Sequence, residues 1–146
     1  MRRTAAILLS AALLCCACSE PSGYEVFVRA EDAPDAVYSF VFPVSDTLNI
    51  YDLSFYTRSD ELRAVAHGAK SPLEMDVRWY APSAKDSAAL AETVYADGGG
   101  ARGRVFAYRS GVILPEAGEW TITVRLAGAP EGFCGLGLKS KKNGTR

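Results

Sequence analysis

The sequence is poor in the residues that build metal, redox and catalytic centres. It holds one histidine, His67, and four cysteines, of which Cys15, Cys16 and Cys18 crowd together near the start. Cys134 stands alone beyond them, so no disulfide framework is available. Its neighbours Phe133, Leu136 and Leu138 point to a small buried strand residue. One histidine and one downstream cysteine exclude a Cys/His zinc site. A Ser-His-Asp triad would need His67 as its base, but Ala66-His67-Gly68 reads as a solvated loop and no Gly-x-Ser-x-Gly elbow is present. Charge of either sign is also lacking in excess: 16 Lys and Arg face 17 Asp and Glu, for a net charge of −1. No basic excess is left to neutralise phosphates, so no nucleic-acid partner is expected.

Other signatures are missing too. The carboxylate pairs Glu31/Asp32, Asp60/Glu61 and Glu74/Asp76 carry no sign of the apolar pocket that a glycosidase acid requires, and read as solubilising charge. No Asp spacing fits a calcium loop. Gly98-Gly99-Gly100 lacks the Lys-Ser/Thr that completes a phosphate loop and reads as a hairpin turn. The chain is therefore expected to be no enzyme and to carry no metal or cofactor. No apolar run approaches the ~20 residues that a helix needs to cross a bilayer.

What is present begins with an address. Arg2 and Arg3 precede an apolar stretch of 11 residues, Thr4–Leu14, followed by small residues. A positive start, a short apolar core and a small-residue end describe a cleaved secretory signal. Leu13-Leu14-Cys15-Cys16-Ala17-Cys18 resembles a lipobox, in which cleavage precedes a cysteine that is then acylated. Ala17 supplies the small residue before the cut, which favours Cys18; Cys16, with Leu13 at the aliphatic place, is the rival. Cysteine suits this role because its nucleophilic sulfur accepts a diacylglycerol. One acyl chain holds only marginally, and two or three hold stably, at ~0.8 kcal/mol per buried CH₂. The expected organisation is a signal at residues 1–17, a lipidated tether at 18–23, one domain at 24–140 and a basic tail at 141–146. A length of 146 residues suits a single domain.

The mature chain is patterned with period two. Leu73, Met75, Val77 and Trp79 alternate with Glu74, Asp76, Arg78 and Tyr80. Trp120, Ile122, Val124 and Leu126 alternate with Glu119, Thr121, Thr123 and Arg125. Each run predicts a strand with one dry and one wet face. Tyr38, Phe40 and Phe42 share a parity in a further strand, as do Tyr51, Leu53 and Phe55 in the next. Shorter candidates are Glu25–Arg29, Gly103–Arg109 and Gly132–Lys139. Lys85–Tyr95 admits either a short helix capped by Asp86 or a strand over Leu90–Ala96, with Thr93-Val94-Tyr95 favouring the strand. Pro- and Gly-containing turns separate the runs. The prediction is an all-β fold, an antiparallel β-sandwich or jelly roll of about seven or eight strands.

The order of these features resembles one family, the gliding-motility lipoproteins of the GldH type. The matching pieces are the lipobox, Phe40-Val41-Phe42 with Asp46, and Tyr51-Asp52-Leu53 running to Arg58. Leu73–Tyr80, the Gly98–Gly103 stretch, Gly118-Glu119-Trp120 and Gly135-Leu136-Gly137-Leu138-Lys139 follow in order. Gly100-Ala101-Arg102-Gly103 stands where that family has a Gly-x-Trp-x-Gly stretch, so the chain resembles a divergent member. The resemblance implies a non-enzymatic accessory subunit of a gliding or secretion apparatus. Such a protein would be lipid-anchored in the cell envelope, at the outer membrane and either periplasmic or surface-facing, with other envelope proteins as partners.

The alternative is a carbohydrate-binding surface lipoprotein. By parity Trp79 and Trp120 face the core, and Tyr56 and Tyr80 are left outside as possible ligand contacts. Asp46-Thr47-Leu48 and Asp86-Ser87-Ala88 match an Asp-Ser/Thr-apolar acceptor for bacterial O-glycans, which marks Thr47 and Ser87. Asn143-Gly144-Thr145 fits the N-glycan pattern and is read as silent.

Overall fold

A computed structural model of the chain describes residues 23–60, 72–97, 103–130 and 132–146. They form eight strands: β1 (Gly23–Arg29), β2 (Val37–Val44), β3 (Asn49–Ser59), β4 (Pro72–Tyr80), β5 (Leu90–Asp97), β6 (Val105–Val112), β7 (Gly118–Leu126) and β8 (Phe133–Thr145). Two short 3-10 turns at Ala30–Asp32 and Pro34–Ala36 join β1 to β2. The strands make two four-stranded antiparallel sheets, ordered β1-β8-β3-β6 and β2-β7-β4-β5. The pairs β1/β8, β2/β7, β3/β6 and β4/β5 are those of one long hairpin rolled around itself. That is a jelly roll, the second of the two all-β arrangements expected.

Period-two patterning builds the core. In β2, Tyr38, Phe40, Phe42 and Val44 are buried while Ser39, Val41 and Pro43 are exposed. Leu73, Met75, Val77 and Trp79 of β4 meet Ile122, Val124 and Leu126 of β7 on the same inner face. Tyr51, Leu53 and Phe55 of β3 and Leu136 and Leu138 of β8 face them from the other sheet. Full burial of each such side chain contributes roughly 1.5–3 kcal/mol. Pro43 is tolerated because β2 is an edge strand, where a missing N–H costs little of the ladder.

Several boundaries differ from expectation. The ambiguous Lys85–Tyr95 segment resolves as a turn leading into the strand β5. Residues 141–146 are not a tail: β8 runs on to Thr145 and pairs Asn49 with Thr145 and Ile50 with Gly144. Gly23, placed in the tether, already pairs with Lys141 as the first residue of β1. Cys134 is exposed rather than buried. A register shift between Arg58 and Ser59 bulges β8 there, so Phe133 turns in against Tyr38 and its neighbour turns out. A second irregularity lies between β3 and β6. There Asp52 accepts hydrogen bonds from Ser110 Oγ (2.7 Å), the Gly111 N–H (2.9 Å) and Asn143 Nδ2 (2.8 Å). The Ser110 bond, with that of Gly111, holds the Asp52 carboxyl below its ordinary range. Gly111, at φ +67°, takes a left-handed conformation that suits glycine.

Candidate functional site

The strand registers gather one set of ends at a single pole. Gly23, the 45–48 turn, the 81–89 connection, the 113–117 turn and Arg146 all lie there. Exposed apolar Leu48 and Ile113 stand on this pole. Each long edge of the sandwich opens beside it into a cavity between the sheets.

The β1/β2 edge holds the larger one, about 410 Å³, with Tyr24, Phe42, Val44 and Tyr51 as walls and Glu119 and Lys142 among its lining. Tyr24 packs edge-on against Phe42 at 5.6 Å, and Phe42 against Tyr51 at 5.1 Å. Tyr24 Oη donates to the Val41 carbonyl, and burial pushes its pKa up. Asn49 sits in the lining, 1% exposed. Its Nδ2 donates to Tyr51 Oη at 3.2 Å, but its Oδ1 has no hydrogen-bond partner among the described residues. A buried acceptor left in this state costs stability, so it marks a place where a donor belongs.

At the β5/β6 edge the inward file Leu90, Glu92, Val94 and Ala96 brings a carboxylate to the interface between the sheets. Trp79 Nε1 donates to Tyr108 Oη at 2.9 Å, and Tyr108 Oη donates in turn to Glu92. Arg109 clamps Glu92 with Nε at 3.0 Å and Nη2 at 2.8 Å. The Arg109 hydrogen bonds hold Glu92 below the usual carboxylate range. Burial, reinforced by donation to Glu92, pushes Tyr108 up to about 12. Hydrogen bonding to Glu92 raises Arg109 in turn. A carboxylate so depressed is a weak base, and a phenol so raised is a weak acid at neutral pH. The four side chains act as a latch that ties β5 and β6 across the sandwich. The adjoining 280 Å³ cavity is lined by Trp79, Trp120, Leu114 and Arg109.

The residues singled out from sequence fall apart in space. Tyr56 lies on the outer face of its sheet, as parity requires, yet is only 5% exposed. Phe27 stacks on it at 5.7 Å, Lys139 Nζ stands 4.8 Å from the ring centre, and the Arg58 guanidinium lies 4.6 Å over Phe27. Burial, followed by its hydrogen bond to Glu25, raises the Tyr56 pKa. Tyr56 is thus no open ligand contact. Tyr80 is half-buried on the outer face of the other sheet, in a 190 Å³ depression with Asp76, Arg78, Thr123 and Arg125. The two tyrosines belong to opposite faces and form no common platform.

Thr47 is half-buried in the β2–β3 turn, where Asp46 Oδ1 accepts the Leu48 N–H at 2.8 Å. Ser87 is exposed in the β4–β5 connection at the same pole. Cys18, Cys16, His67 and Gly98–Gly100 lie outside the described residues. Among the described residues no cluster of three or more His, Cys, Asp or Glu could hold a metal, and no helix is long and apolar enough to cross a membrane. Asn49 and Glu92 were missed although the signal was there: each is a polar residue in an otherwise apolar inward file.

Compared with protein-family models, with curated proteins and with solved structures, the chain matches none.

Proposed function

We propose that this chain is a lipid-anchored envelope lipoprotein whose jelly roll works as a non-enzymatic accessory subunit, akin to the gliding-motility lipoproteins it resembles. One observation carries the reading. The first strand begins at Gly23, five residues after Cys18, at a defined pole of the sandwich. Five extended residues span at most ~18 Å. A lipid on Cys18 therefore sets this pole close to the bilayer and leaves the far pole and both outer faces to envelope partners. The perturbed groups Asp52, Glu92, Tyr108 and Arg109 are engaged in bonds that join strands, which suits a scaffold.

Metabolic labelling with an alkyne palmitate tests the anchor. Wild type and Cys16→Ser should take up label and enter the detergent phase, and Cys18→Ser should do neither. Wild type that takes up no label defeats the anchor, and label that survives in Cys18→Ser removes it from Cys18. For the accessory role, affinity purification of the lipidated protein should recover gliding or secretion subunits in near-stoichiometric amounts; repeated recovery of the protein alone defeats it.

Carbohydrate binding remains as a second reading through Tyr80 alone. The depression that places its ring beside Asp76, Arg78 and Thr123 favours it. Binding on a glycan array that vanishes in Tyr80→Ala supports this reading, and an array without signal removes it.

A further inference from the structure

We infer that the cavity between β1 and β2 takes one alkyl chain headed by a hydroxyl or amide. Three observations converge on it. The space is about 410 Å³, within the ~300–1,000 Å³ typical of ligand pockets. Its walls are the Tyr24, Phe42 and Tyr51 rings with Val44, which suit a hydrocarbon rather than a sugar with many hydroxyls. The lining includes two buried polar residues, Ser140 and the deeper Asn49, and Asn49 Oδ1 is unpartnered. An apolar sleeve with one orphan acceptor fits a ligand with one donor.

Turning the Asn49 amide over would move the orphan to Nδ2, and a hydroxyl or amide head satisfies either orientation. Gly23 also lines this cavity, which places it beside the start of β1. The choice of an alkyl chain rests on the membrane-anchored reading; the cavity and its orphan amide do not. The chain has two possible sources, the protein's own anchor or a free membrane lipid, and both offer the same chemistry.

The test uses full-length Cys18→Ser protein, ¹³C-labelled 1-decanol and decane. Bound decanol should give NOEs to the Phe42 and Tyr24 rings. Asn49→Leu removes the orphan amide at similar volume. It should shift the decanol-to-decane affinity ratio against decanol by about three- to tenfold, the worth of one neutral hydrogen bond. Val44→Phe, which fills the cavity, should weaken both probes together.

The lipidated wild type separates the sources. Acyl-chain NOEs to Phe42 without added probe identify the protein's own anchor, and an empty cavity that still binds decanol identifies a free lipid. Absence of decanol NOEs at saturation, or an affinity ratio unchanged by Asn49→Leu, overturns the inference. A wild-type mass without lipid would overturn the anchor instead, and would leave the decanol result standing.

Discussion

Gly137→Ala is expected to cost far more than one methyl group. Gly137 sits in β8 beneath Tyr56 of the neighbouring β3, its register partner. A Cβ built there would lie 2.1 Å from both Cε1 and Cζ of the Tyr56 ring. The ring cannot lift away freely, because Phe27 stacks on it and Lys139 reaches over it. Displacing it forfeits an aromatic pair of ~0.5–1.5 kcal/mol. It also loosens cation–π contacts of ~0.5–1 kcal/mol each, and re-exposes part of a buried aromatic worth about 2 kcal/mol. Against this, alanine in an ordinary strand position gains ~0.5–1 kcal/mol over glycine. The net loss is about 2–3 kcal/mol. With the ring gone, in Tyr56→Ser, the same Gly137→Ala change should be neutral or stabilising by up to ~1 kcal/mol, because only the glycine penalty remains. Urea unfolding followed by the fluorescence of Trp79 and Trp120, both in the core, reads all four members of the double-mutant cycle. A Gly137→Ala protein within ~0.5 kcal/mol of wild type, or an equal effect in both backgrounds, refutes the account of this pair.

Three further outcomes follow from the latch and the bulge. The Glu92 pKa is depressed in the fold by its Arg109 bonds, so its contribution is present above the unfolded carboxylate pKa and is lost as pH falls through the folded one. Glu92→Gln should therefore be less stable than wild type at neutral pH, with the gap closing in acid; parallel curves would contradict this. Tyr108 is raised from 10.0 to about 12, so its contribution holds below the unfolded value and fades as pH rises between the two. Tyr108→Phe should cost ~1–2 kcal/mol at neutral pH by leaving Trp79 N–H and Glu92 short of a partner, and should flatten the alkaline decline measured by pH-dependent unfolding. Cys134, exposed at its bulge, should react with a maleimide in the native protein nearly as fast as in the unfolded chain, and strong native protection would refute its placement.

Much of the molecule is legible in the alternation of its residues. Strands such as Leu73–Tyr80 and Trp120–Leu126 announced themselves, because the pleat sends alternate side chains to opposite faces and their sequences alternate to match. The same rule put Tyr56 on an outer face correctly and its exposure wrongly. Parity fixes the side of a sheet, whereas Phe27 and Lys139, which cover the ring, arrive from strands distant in the chain. Cys134 failed for a related reason: one bulge reverses parity, and nothing local in Phe133–Leu136 signals it. Asn49 and Glu92 were visible as polar breaks in apolar files, but their meaning came from what the fold set against them. Glu92 met Tyr108 and Arg109, while Asn49 was left facing a cavity.

The all-β class, the inner and outer faces of most strands and the composition of the core are written in the order of the residues, because they depend only on short-range periodicity and on hiding apolar surface from water. Tertiary structure alone decided that β1 pairs with β8 and β2 with β7, that Tyr56 and Tyr80 lie on opposite faces, and that an orphan amide borders a space between the sheets. Those are contacts between residues far apart in the chain, and no local pattern encodes which distant strand will supply them.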